Sequence, residues 1–115
     1  MYQTAEEIVK KNVAFYNKRD IEGFISTFSD EIVFSDFPNN NATLKGIDQV
    51  RKYYNEVFET SPNLYSTIVN RVIFNNKVID HESIIGRKGT EETFEIVLIY
   101  EVKENKIYKV TAIRN

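Results

Sequence analysis

Cysteine is absent from this 115-residue chain, so no disulfide framework, thiolate nucleophile or cysteine-ligated metal is available to it. That absence favours an intracellular, cytoplasmic setting. Histidine occurs once, at His81, which excludes any site built on two imidazoles. The opening MYQTAEEIVKKN has no basic cap followed by an apolar run, and no window approaches the ~20 apolar residues that cross a bilayer. The expectation is a soluble, uncleaved protein with no membrane partner. Neither sign of charge dominates: 15 Lys plus Arg stand against 17 Asp plus Glu, a net charge of -2, mixed along the whole chain. A nucleic-acid surface would want a basic stripe, so none is expected. Tryptophan is missing too, and the aromatic content is carried by eight Phe and seven Tyr. These either fill the core or line a cavity for a flat or apolar small molecule.

What is present fits one domain over residues 1–115, long enough to bury roughly two-thirds of its unfolded surface. Thr4-Ala5-Glu6-Glu7 has the pattern of a capping box and predicts a helix start. Ile8, Val9, Val13, Phe15 and Tyr16 supply its apolar stripe, and Asn17-Lys18-Arg19 ends it. Asp20 caps a short second helix through Ile21, Phe24, Ile25 and Phe28, closed by Ser29-Asp30. Ile32-Val33-Phe34 turns to strand, which Pro38 stops. Asn39-Asn40-Asn41 reads as a plain loop or as a mobile lip over a pocket. After Gly46, the positions Ile47, Val50, Tyr54, Val57 and Phe58 share one face of a third helix that Ser61-Pro62 terminates.

From Tyr65 onward the pattern is an antiparallel meander. Tyr65 to Phe74 turns at Asn75-Asn76 into Val78 to Ile85, and Thr93 to Lys103 turns at Glu104-Asn105 into Ile107 to Arg114. Helices followed by a long curled sheet give an α+β class with helices on one sheet face. On the long strand Phe94, Ile96, Leu98, Tyr100 and Val102 should face them. Val97 and Ile99 lie on the outer face, either as isolated apolar residues or as part of a two-fold homodimer through the sheet.

Two stretches hold candidate chemistry. Asp36 stands between Phe34 and Phe37 where strand becomes loop. A carboxylate among aromatics is a candidate proton-transfer base, and a solvated loop aspartate is the plain alternative. In Asp80-His81-Glu82-Ser83, alternation puts Asp80 and Glu82 on one face, His81 and Ser83 on the other. Whichever pair faces the helices brings polar groups into an otherwise apolar space. Consecutive on a strand, these residues cannot converge on a metal ion, and no cofactor is implied.

The order of elements and the stretch NKRDIEGFISTFSDEIVFSDFP over residues 17–38 resemble the nuclear transport factor 2-like superfamily, in its SnoaL-like and ketosteroid isomerase-like branch. Lys45-Gly46 before the third helix and the closing Tyr100-Glu101-Val102…Lys106-Ile107 hairpin extend the likeness over nearly the whole chain. The resemblance implies a cystatin-like, cone-shaped, mainly antiparallel sheet closed by three helices, an apolar cavity near the third helix, and often a dimer. It also puts Asp36 at the position of the aspartate that moves the substrate proton in ketosteroid isomerases. Asn12 falls at the position of their enolate-holding tyrosine, with Tyr16 one helical turn on, and Leu98 at that of their protonated aspartic acid. Leu98 cannot donate, so steroid isomerisation is not expected. The same register favours Glu82 inward, Asp80 nearer the rim and His81 outward, and a bulge near Asn75-Asn76 would reverse this.

The candidate catalytic residues are therefore Asp36 with Glu82 or His81. The candidate lining residues are Tyr16, Phe34, Phe37, Tyr54, Phe58, Asp80, Ile96, Leu98 and Tyr100. Three roles remain open at this point: a cofactor-free isomerase, cyclase or lyase acting on an apolar or cyclic metabolite, a non-catalytic binder of such a molecule, or a dimeric interaction module.

Overall fold

The computed structural model describes residues 3–115. Helix α1 spans Ala5–Lys18 and opens on the capping box: the Glu7 amide donates to Thr4 Oγ1 (3.2 Å) and the Thr4 amide donates to Glu7 Oε1 (3.1 Å). Its buried residues Ala5, Ile8, Val9, Asn12 and Tyr16 form one stripe, and left-handed Arg19 ends it. Helix α2, Ile21–Ser26, is capped by Asp20, whose Oδ1 accepts from the Gly23 amide at 3.0 Å. Phe28 is not its last apolar position, as its spacing suggests, but the first residue of strand β1, Phe28–Asp36. Thr27, still in the helical region, caps α2, and the chain turns to strand at the next residue.

Strand β2, Asn41–Lys45, begins at the last residue of the expected Asn39–Asn41 loop and runs through positions to which the sequence assigned no element. It pairs antiparallel with β1, Phe34 against Leu44 and Asp36 against Asn41, so the asparagine cluster is the tip of a hairpin. Helix α3, Ile47–Glu59, buries Val50, Tyr54, Val57 and Phe58. Strands β3 (Tyr65–Phe74), β4 (Lys77–Ile85), β5 (Thr93–Lys103) and β6 (Lys106–Ile113) follow, with a single 3-10 turn over Arg87–Gly89 between β4 and β5.

The six strands form one open sheet in the order β2-β1-β6-β5-β4-β3. Every neighbouring pair is antiparallel except β1 and β6. The fold is α+β, with α1, α2 and α3 packed on one face around a shared core. On that face β5 presents Ile96, Tyr100 and Val102 buried and Phe94 and Leu98 partly buried, as alternation requires. Among the described residues no helix is long and apolar enough to cross a membrane.

The parity of β4 decides which polar residues turn inward. Asn75, with φ 54, and Asn76 close a tight hairpin in which Phe74 faces Lys77, and the bulge lies in β3 instead, at Val69 between Ile68 and Asn70. The alternation of β4 is therefore unbroken. Val78, Asp80, Glu82 and Ile84 are buried, while Ile79, His81 and Ser83 face outward.

Candidate functional site

Between the helices and the sheet lies a cavity of about 260 Å³. Helix α1 contributes Asn12, Val13 and Tyr16, α3 contributes Tyr53 and Tyr54, and the sheet contributes Phe34, Glu82, Ile96, Leu98 and Tyr100. Arg87 enters from the 3-10 turn and Arg114 from the chain end. The walls are mostly aromatic and aliphatic, with few polar groups among them.

Glu82 is the carboxyl group of this cavity. It is 3 % exposed, and its two oxygens accept from different hydroxyls, Oε1 from Ser66 at 2.6 Å and Oε2 from Tyr100 at 3.1 Å. Burial pushes the Glu82 carboxyl above its usual value, and the charge of neighbouring Asp80 adds to the rise, against the lowering effect of the Ser66 and Tyr100 hydrogen bonds. Ser66 is itself fixed from α1: its amide donates to Asn17 Oδ1 (2.7 Å) and its carbonyl accepts from Asn17 Nδ2 (3.0 Å). One side-chain amide at the helix end thus sets the hydroxyl that holds the carboxyl.

Tyr16 is the second polar group. Only 8 % exposed, it packs edge-on against Phe58 at 5.7 Å, and its hydroxyl has no hydrogen-bond partner among the described residues. Burial raises the phenol well above its usual range, so it is a proton donor and not a phenolate. Asn12 is spoken for, its Nδ2 donating to Thr27 Oγ1 at 2.8 Å.

Arg87 is the residue that sequence reasoning missed. Its guanidinium carbon lies 5.7 Å from the centre of the Tyr53 ring and 5.9 Å from that of Tyr54, and Nη2 donates to the Tyr53 hydroxyl at 2.9 Å. No carboxylate lies within ion-pair distance of it among the described residues. Gly86, at φ 81, makes the turn that delivers it, and a Cβ there would stand 2.4 Å from the Asn63 carbonyl oxygen. We expect Gly86→Ala to lower stability by about 2–3 kcal/mol in urea unfolding, since both the left-handed backbone and the close approach oppose a side chain. A loss below about 0.5 kcal/mol would mean that the turn relaxes freely.

The remaining candidates fall elsewhere. Asp36 does not reach the cavity: it ends β1 with its side chain 42 % exposed and pairs with Arg114, Nε to Oδ1 at 3.3 Å. Asp36 and Glu82 therefore do not form a dyad across the cavity. His81 lies on the outer sheet face, bonded through Nε2 to Glu95 Oε1 at 2.5 Å. Asp80 shares the inner face with Glu82 but is not at the rim; it is fully buried and gripped by Arg71, directly opposite on β3, through Nε–Oδ1 at 2.6 Å and Nη2–Oδ2 at 2.8 Å. Phe58 sits behind the wall, packed edge-on against Tyr16 and Phe24 and tilted against Tyr54. Phe37 is 58 % exposed beyond the end of β1. Tyr16, Phe34, Tyr54, Ile96, Leu98 and Tyr100 do line the cavity.

Comparison with known proteins agrees with this architecture. An uncharacterized cystatin-fold protein from Novosphingobium aromaticivorans superposes with a TM-score of 0.88 at 20% identity, covering 98% of this chain and 100% of that one. A putative ketosteroid isomerase from Kribbella flavida gives 0.80 at 13% identity over 95% of this chain and 76% of its own. An epoxide hydrolase from M. tuberculosis gives 0.78 at 12% identity, over 96% and 82%. At such identities the likeness is one of fold. No curated protein sequence matches the chain. The SnoaL-like domain family profile matches residues 9–110, and with that match over nearly all of its length the chain belongs to the SnoaL-like domain family.

Proposed function

We propose that the protein takes a small apolar, cyclic molecule into this cavity and moves a proton on it with Glu82, without a cofactor, in an isomerase-, cyclase- or lyase-type reaction. The observation that carries this reading is the buried Glu82 carboxyl opening onto an aromatic cavity that also holds the unpartnered Tyr16 hydroxyl. A carboxyl whose proton affinity is raised by burial is a stronger base when ionised, and the phenol is placed to steady negative charge that develops on the ligand. At about 260 Å³ the cavity is smaller than the roughly 300–1,000 Å³ typical of drug-sized ligands, which suits one or two rings and not a steroid.

A non-catalytic binder is the second reading, favoured by the fact that both Glu82 oxygens already accept from protein hydroxyls. Ring opening of 5-nitrobenzisoxazole separates the two. It begins with removal of one carbon-bound proton by a base; the C–H electrons form a nitrile, the N–O bond breaks, and the oxygen takes that pair as a coloured phenolate on the same ring as the nitrile. We expect turnover above that of acetate at the same pH, and loss of it in Glu82→Gln. No rate above acetate leaves the binder.

A second copy of the chain is proposed on the outer sheet face. Val72, Ile79, Ile99 and Val97 form an apolar strip there, flanked by a cross-strand row of Lys77, Glu101 and Lys109 whose two signs can meet their own copy. Sedimentation should give twice the chain mass, falling to one chain in Ile79→Lys. A native protein that sediments as a single chain at high concentration overturns this.

A further inference from the structure

The cavity contains a cation with more hydrogen-bonding capacity than the protein uses. Of the Arg87 donors, Nη2 reaches the hydroxyl of Tyr53 and the Tyr54 hydroxyl is a second hydrogen-bond partner, both neutral, and no carboxylate takes any of the rest among the described residues. The guanidinium lines the same cavity as Tyr53, Tyr54 and Tyr16. Arg87 is half-buried; aromatic faces tolerate a guanidinium but do not neutralise it, and a charge drawn partly out of water is stabilised by a counter-charge with matching hydrogen bonds. Arg114, the other guanidinium on the lining, already has Asp36. Glu82 is held by Ser66 and Tyr100 and makes no ion pair with Arg87. The Tyr16 hydroxyl, which also lacks a partner, is a second unused donor on the same cavity.

Resting on the reading of this cavity as a ligand site, we infer that its ligand is a small cyclic molecule bearing a carboxylate, which the planar fork of Arg87 and the hydroxyl of Tyr16 receive. A guanidinium presents parallel N–H groups whose spacing matches the two oxygens of a carboxylate, so the geometry selects that anion over a neutral polar group. The apolar ring would then lie along Phe34, Ile96 and Leu98. Glu82, on the sheet wall, is left to act on the ring and not on the anchor.

The test compares 2-naphthoate with 2-naphthamide, which share ring and shape and differ in charge, by titration calorimetry near pH 7.5. The native protein should bind the carboxylate at least about tenfold more tightly. The preference should fall to about one in Arg87→Met, to an intermediate value in Arg87→Lys, which keeps the charge but not the fork, and by a few-fold in Tyr16→Phe. Because the ratio is taken within each variant, a general loosening of the fold cancels. If Arg87→Met binds neither probe, the ratio in Arg87→Lys decides: an undiminished preference there overturns the role of the fork. Equal binding of the two probes by native protein overturns the carboxylate inference and leaves the cavity as a ligand site. Binding of neither probe by native protein overturns both. A preference that survives in Arg87→Met overturns the assignment to Arg87.

Discussion

Arg71→Met should destabilise the protein by about 3–5 kcal/mol, a large share of the roughly 5–15 kcal/mol that holds a domain of this size together. The reason lies in what the substitution leaves behind. Asp80 is 0 % exposed, and both of its oxygens are held by the two arms of the guanidinium at 2.6 and 2.8 Å. Methionine fills much of the arginine stem's volume, so the loss is an uncompensated buried carboxylate and not a cavity. In urea the unfolding midpoint should drop with an unchanged slope, by roughly 2 M at a typical slope of ~2 kcal/mol per M. Pairing the change with Asp80→Leu should restore most of the stability, because the pair as a unit contributes far less than its broken half costs. A loss under about 1 kcal/mol in the single variant would show that water or another cation reaches Asp80.

The same pair reaches the cavity through charge. Asp80, two residues away along the inner face of β4, raises the proton affinity of Glu82, and Arg71, opposite Asp80 on β3, lowers it. Arg71→Met removes the lowering influence, so whatever pH profile Glu82 imposes should move upward in that variant. A residue that never touches the cavity thereby tunes the group that does.

How much of this was legible beforehand depends on how local the physics is. The helices were, because a capping box at Thr4 and apolar residues at helical spacing in Ile47 to Phe58 speak within a few residues. Strand β5 was, because its inner face is unbroken from Phe94 to Val102. Strand β2 was not: Asn41–Lys45 has only Ala42 and Leu44 as apolar residues and exists because β1 offers it an edge. Strand β4 was ambiguous by composition, since both of its faces carry aliphatic ends and polar centres. Only the position of the β3 bulge and the tightness of the Asn75-Asn76 turn settle which face is buried. Asp36 was misplaced because the register of β1 shifts between Phe34 and Ser35, so the alternation that brings Phe34 to the cavity does not bring Asp36 there, and it meets Arg114 from the far end of the chain instead. Arg87 was invisible because its inward path depends on a left-handed glycine against the backbone of Asn63. Side-chain pattern carries no sign of that contact.

Glu82→Gln carries the largest expected effect on chemistry: a fall of about 10²- to 10⁴-fold in 5-nitrobenzisoxazole ring opening, the usual contribution of a positioned general base. Glutamine retains the shape, and its oxygen can accept from one of the Ser66 and Tyr100 hydroxyls while its amide donates to the other, which turns to accept, so the cavity should stay formed while the base is gone. The pH profile gives the sign. Only the ionised carboxylate can take a proton, and burial lifts its ionisation above the ordinary 4.5. Turnover should therefore be low at the usual carboxyl value and rise with one ionisation to a plateau at higher pH. A profile already flat from pH 4.5 upward would assign the base elsewhere.

Stability must show the complementary trend. Between the unfolded value and the raised folded value, native Glu82 holds a proton that the unfolded chain has lost, so native stability falls as pH rises across that window. Glutamine has no proton to lose, and the variant should lack this part of the decline. The two measurements are independent, one reading the cavity's chemistry and the other the fold's proton balance, and they must place the ionisation of Glu82 in the same window. Agreement makes Glu82 the group that titrates in both. Disagreement separates a structural carboxyl from the base, and turnover would then have to pass through a group outside the Ser66–Glu82–Tyr100 network.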